Sequence, residues 1–162
     1  MRFVGEPQWP SAEQLARTHD DLLARWGGDE GGGHRGAELE GVDAALQAAK
    51  NSYYETPEEL AAALAVYMIQ GHVFMDGNKR AGGSAIDGFL HINGLRSPMT
   101  NARGQAAMLE LQTRAERGER TDVLIAWLAS LIRGDEPGPK RNPRPVAAPK
   151  ASPSTKRPSR RR

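Results

Sequence analysis

The chain has 162 residues, 38% of them hydrophobic, enough for one globular domain whose core needs no disulfide or metal staple. Its formal charge of +2 conceals an asymmetry: residues 134–162 hold 9 of the 22 basic and 2 of the 20 acidic side chains, leaving 13 basic and 18 acidic, a net of −5, for residues 1–133. The absence of cysteine, a start (MRFVGEPQWP) unlike a signal peptide, and no apolar run beyond Leu60 to Ile69, half of the roughly 20 residues in a membrane span, exclude a disulfide scaffold and a spanning helix and predict a soluble cytoplasmic protein with no membrane partner.

Ser11 followed three residues later by Gln14 is a capping box, and Leu15, Leu22, Leu23 and Trp26 recur at helical spacing, so a first helix with one apolar face is predicted up to Gly27 and Gly28. The glycine-rich run from Gly27 to Gly36 reads as a mobile loop. Leu39, Val42 and Leu46 predict a short second helix, and Asn51 to Glu55 reads as a small flap or a plain connection. Thr56, Pro57 and Glu59 then supply an N-cap, a proline at the first helical position and a glutamate at N3, ahead of a helix marked by Leu60, Ala63, Leu64, Tyr67 and Met68 and ending near Gly71. A further helix carries Ala85, Ile86, Phe89 and Leu90 and stops at Asn93-Gly94; another, with Ala106, Leu109 and Thr113, ends near Gly118. The last runs from Thr121 with Leu124, Leu128, Leu131 and Ile132 inward. Few segments alternate with period two, so the predicted fold class is all-α.

Residues 134–162 hold 7 of the 11 prolines and almost no apolar residues, a composition that does not offset its ordering entropy. The chain therefore divides into a folded domain, 1–133, and a basic proline-rich tail, 134–162, expected to be disordered. The tail reads either as a solubilising extension or as a weak contact for nucleic acid or ribosomes through phosphate attraction.

Between two of the predicted helices lies HVFMDGNKRAGG, His72 to Gly83, with a histidine, an acid, an asparagine and two cations close together. A helix start carries unpaired N–H groups and a partial positive charge, which makes it an anion site. Lysine and arginine in the first turn oppose that dipole unless an anion sits there. Gly77 lets the backbone approach closely, Asn78 can cap or hydrogen-bond, and Lys79 and Arg80 add two cations, which together read as a polyphosphate cradle. Asp76 beside it suits Mg²⁺, His72 suits a general base near pH 7, and Val73 and Phe74 pin the loop to the core. Each residue alone has a plainer reading: His72 as a cap or surface residue, Asp76 as an N-cap, Asn78 to Arg80 as a solvated face. Composition leaves the two readings balanced.

HVFMDGNKR resembles the signature of the Fic/Doc (fido) superfamily, H-x-F-x-[DE]-x-N-x-R between two helices, and matches its key positions. The lysine between asparagine and arginine makes it similar to the death-on-curing (Doc) branch. SAEQLARTHDDLLARWGG resembles that branch's first helix and FLHINGLR the end of its post-motif helix, so the likeness covers about Ser11 to Arg133. The resemblance implies a fido fold of about six helices with the active loop between two central ones. It implies a transferase that uses ATP and Mg²⁺ to modify a protein hydroxyl. Carried over by position, His72 would deprotonate the hydroxyl, Asp76 would hold Mg²⁺, Gly77, Asn78, Lys79 and Arg80 would hold the phosphates, and Phe74 would anchor the loop.

AMP-transferring relatives have a second arginine three residues after the first and a glycine between the asparagine and arginine; here these positions are Gly83 and Lys79. The resemblance thus implies γ-phosphoryl transfer of the Doc type, with AMP transfer of the Fic type, or a non-catalytic fido-fold binder with a nucleic-acid-contacting tail, as alternatives. It implies a toxin of a type II toxin–antitoxin system whose target is an elongation factor Tu-like protein. The inhibitory pattern [ST]-x-x-x-E-[GN] is incomplete, because Glu30-Gly31 and Glu40-Gly41 are preceded at its first position by Trp26 and Gly36. Inhibition by a separate antitoxin protein is the corresponding expectation.

Overall fold

The computed structural model describes residues 1–26, 35–74 and 77–135, and there the chain forms six helices: α1 (Ala12–Trp26), α2 (Arg35–Lys50), α3 (Pro57–Gln70), α4 (Asn78–Ile92), α5 (Asn101–Glu116) and α6 (Thr121–Arg133). No strand occurs among the described residues, and the fold is all-α as the periodicities predict. No helix among them is long and apolar enough to cross a membrane.

Local chemistry sets the helix ends. At α1 the Ser11 N–H donates to Gln14 Oε1 (2.8 Å) and the Gln14 N–H donates to Ser11 Oγ (3.1 Å). At α3 the Glu59 N–H donates to Thr56 Oγ1 (3.3 Å) and the Thr56 N–H to the Glu59 carboxylate (3.2 Å), with Pro57 where a missing N–H costs nothing. The α4 stop falls at Asn93 with Gly94 at φ +70°, and α6 ends at Gly134 with φ +88°, the left-handed backbone that favours glycine.

Helix α3 is the axis of the molecule. The sequence predicts one apolar face for it, yet every residue from Pro57 to Ile69 except Glu59 and Tyr67 is buried. The reason is the alanines at 61, 62, 63 and 65, each 0% exposed, which let α2, α4, α5 and α6 close in from several sides. Other expectations need adjusting as well. The second helix is not short: it has 16 residues and takes in Arg35 and Gly36, while residues 27–34 of the predicted glycine loop lie outside the described residues. In α5 the inward residues are Ala107, Met108 and Leu111, and Leu109 is 57% exposed. Trp26 at the end of α1 is exposed rather than part of the apolar face. Asn51 to Glu55 forms a turn with no strand, in which Tyr53 is exposed and its ring lies 4.5 Å from that of Tyr54. Leu124, Leu128, Leu131 and Ile132 of α6 face inward as predicted. The tail beyond Asp135 lies outside the described residues.

Candidate active site

Gly71 to Phe74 leave the C-terminal end of α3 and Gly77 leads into the start of α4. The Gly71 N–H donates to the Tyr67 carbonyl (2.9 Å) and the His72 N–H to the Ile69 carbonyl (3.2 Å), which closes the last turn of α3. The left-handed residue that turns the chain is not Gly71, at φ −75°, but His72, at φ +44°. Among the described residues it is the one non-glycine with positive φ, a conformation that costs about 1–2 kcal/mol for a residue with a Cβ. Its side chain is exposed.

The next two residues clamp the loop to two different helices. Val73 is buried and lies against α2, where a Cβ at Gly41 would sit 3.2 Å from its Cγ1. Phe74, 2% exposed, stacks face to face on His19 of α1, with ring centroids 3.8 Å apart and planes 5° from parallel. Asn78, the first residue of α4, completes the closure: the Phe74 N–H donates to its Oδ1 (3.0 Å), and its Nδ2 donates to the Phe74 carbonyl (2.6 Å). Both polar ends of the Asn78 amide thus hold the backbone of the loop anchor. Gly77 caps α4 at φ +74°, and a Cβ there would sit 3.0 Å from His19 Nε2 and 3.2 Å from Leu23 Cδ2.

The start of α4 is electropositive by construction. Its first turn has no acidic residue, the capping position is a glycine with no side-chain oxygen, and Lys79 and Arg80 are both exposed there. The helix dipole adds to their charge, so the site suits an anion with several oxygens, such as a polyphosphate. Asp76, the expected Mg²⁺ ligand, lies outside the described residues; among these no group of three acidic or histidine side chains could hold a metal ion. Gly83 is half-buried, and a Cβ there would make an ordinary 3.5 Å contact with Met108 of α5.

Beyond the loop, an open groove runs between α1 and the later turns of α4, lined by Arg17, Asp21, Ser84, Asp87, His91 and Arg96 among others. None of the described residues from His72 to Arg80 lines it, so the groove is distinct from the cationic start of α4. Asp87 is exposed on the helix, yet partial desolvation among these neighbours raises its carboxyl above the usual range.

The structure therefore brings His72, Phe74, Gly77, Asn78, Lys79 and Arg80 together over one helix junction. Reading the sequence gave no role to His19, which is buried under that junction. A signal was present: His19 is four residues after Leu15 and four before Leu23, on the apolar stripe of α1. The sequence pattern of the Fic/DOC family matches residues 9–90, half of the chain, which takes in α1, the loop and most of α4. No curated protein matches the chain.

Proposed function

Because the chain belongs to the Fic/DOC family, whose members are generally nucleotide-transferring enzymes, we propose that it is a Doc-like toxin that phosphorylates a hydroxyl of an elongation factor Tu-like protein with Mg-ATP and so arrests translation. The observation that carries this reading is the acid-free start of α4, with Lys79 and Arg80 exposed beside a loop that presents an exposed His72. In the reaction the hydroxyl oxygen forms a bond to the γ-phosphorus while the bond to the β–γ bridging oxygen breaks, ADP leaves, and the hydroxyl proton passes to an imidazole nitrogen of His72. Lys79, Arg80 and the backbone N–H groups from Gly77 onward hold the phosphates; Asn78 adds its own N–H, since its amide is tied to Phe74. Asp76 would hold Mg²⁺, which when bound would neutralise charge at the phosphates. The absence of an arginine at Gly83 supports phosphoryl over AMP transfer. An antitoxin protein belongs to the same proposal, and the α1–α4 groove, continuing along the helix face that Arg80, Ser84, Asp87 and His91 share, offers it a surface.

The test is intact-mass spectrometry of elongation factor Tu, or of a lysate fraction, after incubation with the protein and Mg-ATP. The expected gain is about 80 Da for one phosphoryl group, and none with His72→Ala. A gain of about 329 Da would instead identify AMP transfer, and no change on any protein would remove the transferase reading.

A further inference from the structure

We propose that His19 is the positioning residue of the active loop: its flat ring, packed from α1 against both the Phe74 ring and Gly77, fixes where His72 stands relative to the cationic start of α4. His19 is 4% exposed, so its ring is part of the packing beneath the loop. It stacks face to face on Phe74 at 3.8 Å with planes 5° from parallel, and its Nε2–Cδ2 edge lies 3.0–3.4 Å from the place a Gly77 Cβ would occupy. A planar ring makes both contacts at once, whereas a branched aliphatic side chain of similar size would push one of them away. The two contacts carry different parts of the site. Phe74 is two residues from His72, and Gly77 is the cap from which Asn78, Lys79 and Arg80 follow. Asn78 ties Phe74 to α4, and His19 sets both against α1, which packs on α2 and α4. Gly77 without a Cβ is the complement of this arrangement, because its φ of +74° and the closeness of His19 both exclude a side chain.

The kinetic part of the inference rests on the transferase reading above; the structural part does not. Two variants test it, His19→Ala, which removes the ring, and His19→Phe, which keeps a flat ring in its place, with circular dichroism establishing that each is folded. In His19→Ala the side-chain amide NMR signal of Asn78, held by the Phe74 carbonyl, loses its protection from solvent exchange. Turnover then falls roughly 10- to 100-fold, since misplacement by about an ångström costs that much, while KM for ATP stays within about twofold. His19→Phe retains both the protected amide and most of the turnover. The inference is overturned if the Asn78 amide stays protected in His19→Ala, or if His19→Phe loses as much protection as His19→Ala. A protein with no transferase activity would end the kinetic reading, while the amide signal would still decide the role of His19. Should His19→Ala not fold, His19→Phe decides alone: loss of the protected amide in that folded variant overturns the inference and its retention supports it.

Discussion

At φ +44°, the Cβ of His72 crowds the carbonyl oxygen that left-handed backbone brings close, a strain that only glycine avoids. His72→Gly is therefore expected to raise stability by about 0.5–1 kcal/mol, after the unfolded-state entropy that glycine adds, while abolishing transfer. His72→Ala also abolishes transfer but keeps the strain, so its urea midpoint stays near that of the parent. Comparing the two by urea unfolding separates the backbone strain at His72 from its imidazole. The positions of His72, Phe74, Asn78, Lys79 and Arg80 were legible in the sequence because they follow one another within a short stretch. What Asn78 does with its amide was not, since a side chain that binds backbone four residues earlier depends on how the loop closes. His19 was harder still: a lone histidine on an apolar stripe reads as packing, and only the folded loop shows that it packs against the residues beside the base.

The capping box of α3 is the element whose chemistry can be followed by pH. Burial alone would raise the Glu59 carboxyl, but hydrogen bonds from the Thr56 hydroxyl and amide outweigh it and hold the group below its ordinary value of 4.5. A depressed carboxylate stabilises the folded state above its ordinary pKa, and the contribution is lost as pH falls through the lower folded value. Thr56→Ala is expected to cost about 1 kcal/mol at pH 7. The gap from the parent narrows as pH falls through the lowered folded value, where a protonated Glu59 no longer gains from Thr56; urea midpoints followed from pH 7 downward measure it. Both capping boxes were readable because a cap is a local pairing of residue types at fixed spacing. The burial of α3 was not, because alanine is neutral to a hydrophobic pattern and its exposure depends on what surrounds it. In α5 the exposed Leu109 shifts the apparent apolar face away from Ala107, Met108 and Leu111, a reminder that one large residue can dominate a short periodic count.

For the molecule as a whole, charge and folding separate along the chain. Residues 136–162 hold nine basic side chains and one acidic one, while α6 is already closed before them: Gly134 takes the left-handed turn, and the Asp135 N–H donates to the Ser130 carbonyl (2.9 Å). Deleting residues 136–162 is expected to leave the melting temperature within about 2 °C. On the reading in which the tail contacts nucleic acid, the deletion also removes salt-dependent retention on a nucleic-acid column, which depends on neutralising phosphates; unchanged retention would dismiss that contact. The burial of α3 bears on how such a molecule meets its partners. Only Glu59, Tyr67 and Gln70 of that helix are even half-exposed, so whatever approaches the loop meets chiefly its neighbours. Recognition thereby falls mostly to side chains on the outer helices and connections, and these can be exchanged without redesigning the spine. One chassis of this kind can serve different targets, because the choice of target is written on surfaces that the catalytic junction does not need in order to fold.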